Sequence, residues 1–116
     1  MDWRPATIGE VAAIVQEHLR RCDGEQRSMF ERYSVEPYFA PIVRYGQSDQ
    51  VVVVARRGNE VMYWEDVEEG FNVSEVRTDG QIAHHWCNQD ELRHVLTEWG
   101  LDLILTFRSP FRDYLR

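Results

Sequence analysis

Gln50-Val51-Val52-Val53-Val54-Ala55-Arg56-Arg57-Gly58-Asn59-Glu60-Val61-Met62-Tyr63-Trp64-Glu65 decides the fold. A β-branched apolar run, a Gly-Asn turn and a second apolar and aromatic run predict two antiparallel strands joined by a tight hairpin. Phe71 to Arg77 and Gln81 to Trp86 continue the pattern, with Gly70 and Thr78-Asp79-Gly80 as the intervening turn signals. The expected sheet is a meander of four or five strands. Pro41 has no N–H for a ladder, so Tyr38 to Tyr45 is expected at an edge or as a bent strand.

Helices are expected on both sides of the sheet in sequence. Thr7-Ile8-Gly9-Glu10 has the form of a capping box, and Ile8, Val11, Ala12, Val15, Leu19 and Cys22 follow at helical spacing. Glu25 to Tyr33 predicts a second, shorter helix that Pro37 closes. Asn88 and Glu91 predict the start of another, with Leu92, Val95, Leu96 and Trp99 as its buried stripe and Gly100 as its stop. Leu103 to Phe107 then reads as a last strand, and Ser109-Pro110 as the opening of a short helix ending at Arg116. The expectation is an α+β fold: one or two N-terminal helices, an antiparallel sheet, and a C-terminal helix packed on one face. Residues 1–116 form one domain, long enough to bury a core without disulfides.

Charge narrows the function. The net charge of −7 disfavours nucleic-acid and anionic-membrane binding, since both need a basic surface. From Gly58 to Val76 there are six acids and no base, a local field that favours a basic protein partner. Glu65, Asp66, Glu68 and Glu69 are the candidate contact residues, with Trp64 and Phe71 beside them as candidate apolar anchors. Asp66 and Glu68 are expected in solvent. No apolar run reaches membrane-spanning length and no signal-like hydrophobic region opens the chain, which points to the cytoplasm. Cys22 and Cys87 are too few for a disulfide framework and are expected as free thiols. Lysine is absent, which a codon bias explains as well as any function.

Chemistry-bearing residues are sparse. His18 and Cys22 share a helical face, and His84, His85, Cys87 and His94 cluster further on, but no spacing matches a zinc motif. No metal or cofactor is expected. None of the five serines sits in a nucleophile elbow, and there is no phosphate-binding glycine motif. A Cys/His or metal-dependent enzyme around His84 to His94 is therefore the alternative, and a non-enzymatic binding protein the main expectation. A homodimer is consistent with this composition.

The layout resembles that of small acidic bacterial immunity proteins. The residues that carry the resemblance are Trp64 to Ser74, Gly80-Gln81-Ile82 and the Asn88 helix start. It implies an α+β protein without catalysis that masks a basic toxin. A second resemblance is to secretion chaperones, which are also small, acidic and α+β.

Overall fold

The computed structural model describes residues 4–108, with side chains described through residue 100. Helices α1 (Ile8–Leu19) and α2 (Gly24–Tyr33) lead into strands β1 (Ser34–Arg44), β2 (Gln47–Arg57), β3 (Glu60–Glu65) and β4 (Gly70–Glu75), and α3 (Leu92–Arg108) follows. The strands form one antiparallel sheet in the order β1-β2-β3-β4. The fold is the expected α+β meander. Among the described residues no helix is long and apolar enough to cross a membrane.

Capping boxes start both N-terminal helices. Thr7 and Glu10 exchange bonds as the sequence anticipates, and Asp23 and Gln26 make a second box at α2. Strand β1 begins at Ser34, directly after α2, so Pro37 lies inside a strand rather than closing the helix. The pairing with β2 is irregular between Ser34 and Tyr38, where an edge strand absorbs the missing donor. Tyr45 and Gly46 join β1 to β2 with φ of 51° and 73°, the two left-handed residues that a twisted two-residue hairpin needs.

Alternation gives the sheet two buried faces. Val52, Val54, Met62, Trp64 and Phe71 face the helices, where Val11, Val15, Phe30, Leu92, Val95, Leu96 and Trp99 pack on them. Ala40, Ile42, Val51, Val53, Val61 and Tyr63 face the other way. Tyr63 and Trp64 therefore lie on opposite faces, and both are buried. Full burial of each such apolar side chain contributes roughly 1.5–3 kcal/mol.

The second face is covered by the chain from 76 to 90, here called the strap. This corrects the expected fifth strand from Gln81 to Trp86: only Val76 and Ile82 pair as an isolated bridge. The strap opens with the expected turn at Thr78-Asp79-Gly80, and from Ile82 on its alternate amides are taken by groups on the sheet. Ile82 donates to the Pro41 carbonyl at 2.9 Å, His84 to Ser74 Oγ at 3.0 Å, Trp86 to the Tyr63 hydroxyl at 2.8 Å and Asn88 to Asn72 Oδ1 at 3.1 Å. The Tyr63 hydroxyl also lies 2.9 Å from the Trp86 carbonyl, and Asn72 Nδ2 donates to that of Asn88 at 3.0 Å. Ile82 and Ala83, which donates to the Glu75 carbonyl at 2.9 Å, bond to backbone; further along, side chains do what a ladder does elsewhere.

Two further boundaries differ from expectation. Asn88 is held by Asn72 instead of capping a helix, and α3 starts at Leu92, whose N–H donates to His18 Nδ1 at 3.2 Å. Gly100 does not stop α3, because it lacks the left-handed φ of a terminating glycine. The helix accepts its cost of about 1 kcal/mol and continues through the stretch expected as a strand. Arg57 ties α3 to the β2–β3 hairpin, donating to the Trp99 carbonyl at 2.9 Å with its guanidinium 4.7 Å from the Trp99 ring. The helix expected from Ser109 lies outside the described residues.

Gly70 is where β4 and the strap touch backbone to backbone. A Cβ there would sit 2.6 Å from Gln89 Cα and 2.9 Å from the Asn88 carbonyl carbon. Gly70→Ala should therefore cost about 1–3 kcal/mol, as overpacking does in a closed interior. Urea unfolding measures the loss, which Gly46→Ala should not share through any contact of this kind, since its surroundings are open.

Candidate functional site

Alternation along β1 and β3 places Arg44 and Glu65 on the strap face, beyond the apolar part of that face. Both side chains are almost fully removed from solvent, at 1% and 0% exposure. Arg44 collects three carboxylates. Its Nε donates to Asp49 Oδ2 at 2.9 Å, while Nη1 reaches both Glu65 oxygens at 3.1 Å and Asp66 Oδ1 at 2.7 Å. Burial opposes the charge on Arg44, but the hydrogen bonds to Asp66 and Asp49 outweigh it and raise its pKa further above the usual value. For Asp49 burial acts upward, and bonds from the Gln50 amide and Arg44 bring its carboxyl below the ordinary range.

The remaining lone pairs are also used. Glu65 Oε1 accepts the Val67 amide at 2.7 Å, and Asp66 Oδ2 accepts the Ala6 amide at 3.0 Å, just ahead of α1. His85 Nε2 lies 2.7 Å from Glu65 Oε2, which fastens the strap to the sheet. The tip residue Tyr45 packs edge-on against the His85 ring, with centroids 5.2 Å apart. One cluster thus joins β1, β2, β3, the strap and the entry to α1.

This geometry corrects the expected acidic surface. The four acids do not share one surface: Glu65 and Asp66 turn inward, Glu68 is half-buried with its Oε2 accepting from Gln89 Nε2 at 3.3 Å, and Glu69 is exposed. Asp66, expected in solvent, has a side chain only 6% exposed because Arg44 and Ala6 claim both oxygens. Trp64 and Phe71 are buried against each other and the helices, so neither stands free as an anchor. Exposed apolar side chains occur instead at Phe39, Val43, Tyr45, Val67 and Trp86. Of these, Tyr45 and Val67 belong to the corner. Tyr45 is expected from sequence as the last residue of the edge strand; it instead leaves β1 as the first left-handed residue of the Tyr-Gly hairpin turn, which sets its posture.

The histidines and cysteines do not gather into one centre. His18 Nδ1 accepts from Leu92, His85 faces Glu65, and His94 Nδ1 lies 3.4 Å from the Glu91 amide. Cys22 is a buried free thiol pushed up by that burial, and Cys87 is free and exposed. Among the described residues no set of three or more His, Cys, Asp and Glu side chains is arranged to hold a metal ion. Nor does any serine or cysteine side chain among them hydrogen-bond to His85. A Glu–His pair without a nucleophile in reach orients a ring and braces a loop; acyl transfer needs more. Compared with known protein families, curated proteins and solved structures, the chain matches none.

Removing Arg44 should be severe, because it leaves Glu65 and Asp66 in the interior without their counter-charge. Arg44→Met is expected to lower unfolding free energy by about 3–5 kcal/mol, read from urea midpoints at neutral pH. A second effect concerns His18, whose ring packs edge-on against Phe71 and Trp64 at 5.2 and 6.2 Å. Its Nδ1 must be bare to accept from Leu92. Burial, and then the charge of Arg21, hold its pKa below the usual value. The unfolded chain therefore binds this proton more readily than the folded one. The stabilisation is complete above the unfolded value of about 6.5 and disappears as pH falls through the lower folded value. Comparing urea midpoints between mildly alkaline and mildly acid pH, the native chain should lose more stability than His18→Asn, which keeps an acceptor that does not titrate.

Proposed function

We propose that this chain is a non-enzymatic protein-binding module that receives a positively charged partner at the β3–β4 corner. The observation that carries this reading is Tyr45, 65% exposed at the hairpin tip and steadied by His85. Desolvation, followed by the nearby charges of Glu65 and Glu68, raises its phenol pKa. Val67 adds apolar surface, and Glu68 and Glu69 supply outward charge. An aromatic ring rimmed by acids suits a basic protein surface: the charges speed encounter, and the ring supplies lasting affinity. Glu65 and Asp66 contribute to the field from within but make no contact of their own.

The rigidity of the corner supports the same reading. A surface braced by a buried ion cluster loses little conformational freedom on binding, so more of the contact energy remains as affinity. In its concrete form the module is an immunity protein that masks a basic toxin in the bacterial cytoplasm. The brace also explains why acids dominate the corner: two of them serve the interior and two remain for a partner.

The product of an adjoining gene with a basic surface is the partner to assay, by association and dissociation rates at low and high salt. Glu68→Lys with Glu69→Lys should slow association on the order of tenfold and flatten its salt dependence. Tyr45→Ala should speed dissociation on the order of tenfold while leaving the unfolding midpoint nearly unchanged. A basic partner that binds all these variants as it binds the native chain would overturn the assignment.

A further inference from the structure

The hairpin arm formed by residues 39–52 has one covered face and one bare face. Ala40, Ile42 and Arg44 point to the strap, so Phe39, Pro41 and Val43 point to the side of the helices. Among the described residues none of the three joins either apolar core, and all three are exposed. Cross-strand register puts Pro41 opposite Gln50 and Val43 opposite Ser48, both also exposed, on the same face. These five side chains carry no charge, although the chain as a whole carries −7.

We infer that this bare face is where two copies of the chain associate, face to face across a two-fold axis close to Pro41. The charge pattern argues for a second copy. A basic partner gains nothing from an uncharged strip and is drawn to the acids elsewhere, whereas two copies at −7 repel everywhere except across neutral surface. A two-fold operation about Pro41 sets Phe39 of one copy against Val43 of the other at both ends, which is the self-complementarity that a closed dimer requires. Ser48 and Gln50 of each copy then border the apolar strip with neutral hydrogen-bonding groups.

Pairing through the strand edge is disfavoured, which makes the face the available route. Pro41 has no N–H to offer, and its carbonyl already accepts from Ile82. The strip is short, so the dimer is a weak and reversible one. Its salt response is opposite in sign to that of the acidic corner. Salt screens the repulsion between like-charged copies and should tighten the dimer, while the same salt weakens attraction of a basic partner.

Sedimentation of the full chain over a range of concentrations, at low and high salt, tests this directly. The expected result is a monomer–dimer equilibrium that strengthens with salt. Phe39→Asp with Val43→Asp should raise the dissociation constant on the order of tenfold or more. Ser48→Glu with Gln50→Glu should do the same through repulsion alone, without touching the apolar side chains. Glu68→Lys with Glu69→Lys is the control at the other surface and should not weaken the dimer. A chain that stays monomeric at all concentrations overturns the inference, as does a dimer that weakens with salt or survives both substitutions of the face.

Discussion

A guanidinium on an outer strand, held out of water by three carboxylates, is the constraint that organises this molecule. An isolated charge in the interior would be prohibitive, so Arg44 can occupy its position only if Asp49, Glu65 and Asp66 converge on it. Convergence in turn fixes the register of β1 on β2, the end of β3, and the approach of the chain to α1 through Ala6. Strength and specificity differ here. A hydrophobic replacement of the whole cluster could match its stability, but it would not hold five separate pieces of chain in one relation.

The helices and the central hairpin were legible because their signals are local. Thr7 with Glu10, the stripe of Val95, Leu96 and Trp99, and Gly58-Asn59 each act within a few residues. The strap was not legible as such. From sequence, Gln81 to Trp86 continues the strand pattern, but only Ile82 forms a bridge; what replaces the ladder beyond it is a set of acceptors supplied by Tyr63, Ser74, Asn72 and Pro41. Which side chain meets which amide across ten or more residues is a tertiary fact. Gly100 misled for a related reason: a glycine ends a helix only when the chain turns left-handed there, and α3 does not.

The acidic run shows the same limit in electrostatic form. Glu65, Asp66, Glu68 and Glu69 are alike in composition, yet the first two are interior counter-ions, Glu68 is half-buried and Glu69 is exposed. The deciding residue, Arg44, lies more than twenty positions away, and nothing in the local sequence marks it as their partner. Trp64 and Phe71 follow from that inward turn, since a chain that buries Glu65 on one face must bury Trp64 on the other. The candidate surface keeps Glu68 and Glu69 of the β3–β4 turn, exchanges Trp64 and Phe71 for Val67, and adds Tyr45 from the β1–β2 turn, some twenty positions earlier in the chain.

The strap differs from an ordinary neighbouring strand in how its path is addressed. Ladder bonds join backbone to backbone and are indifferent to sequence, so a paired strand can slide by two residues and recover the same bonds. The strap cannot. A hydroxyl of Ser74, a phenol of Tyr63 and an amide of Asn72 each occur once, at one height on the sheet. Sliding by two residues would set the amides of His84, Trp86 and Asn88 against groups of the wrong reach, although Ile82 and Ala83 donate to backbone carbonyls as a ladder strand does. The segment is thus keyed to its place like a label to a lock, and an error of register there has no neighbouring minimum in which to rest.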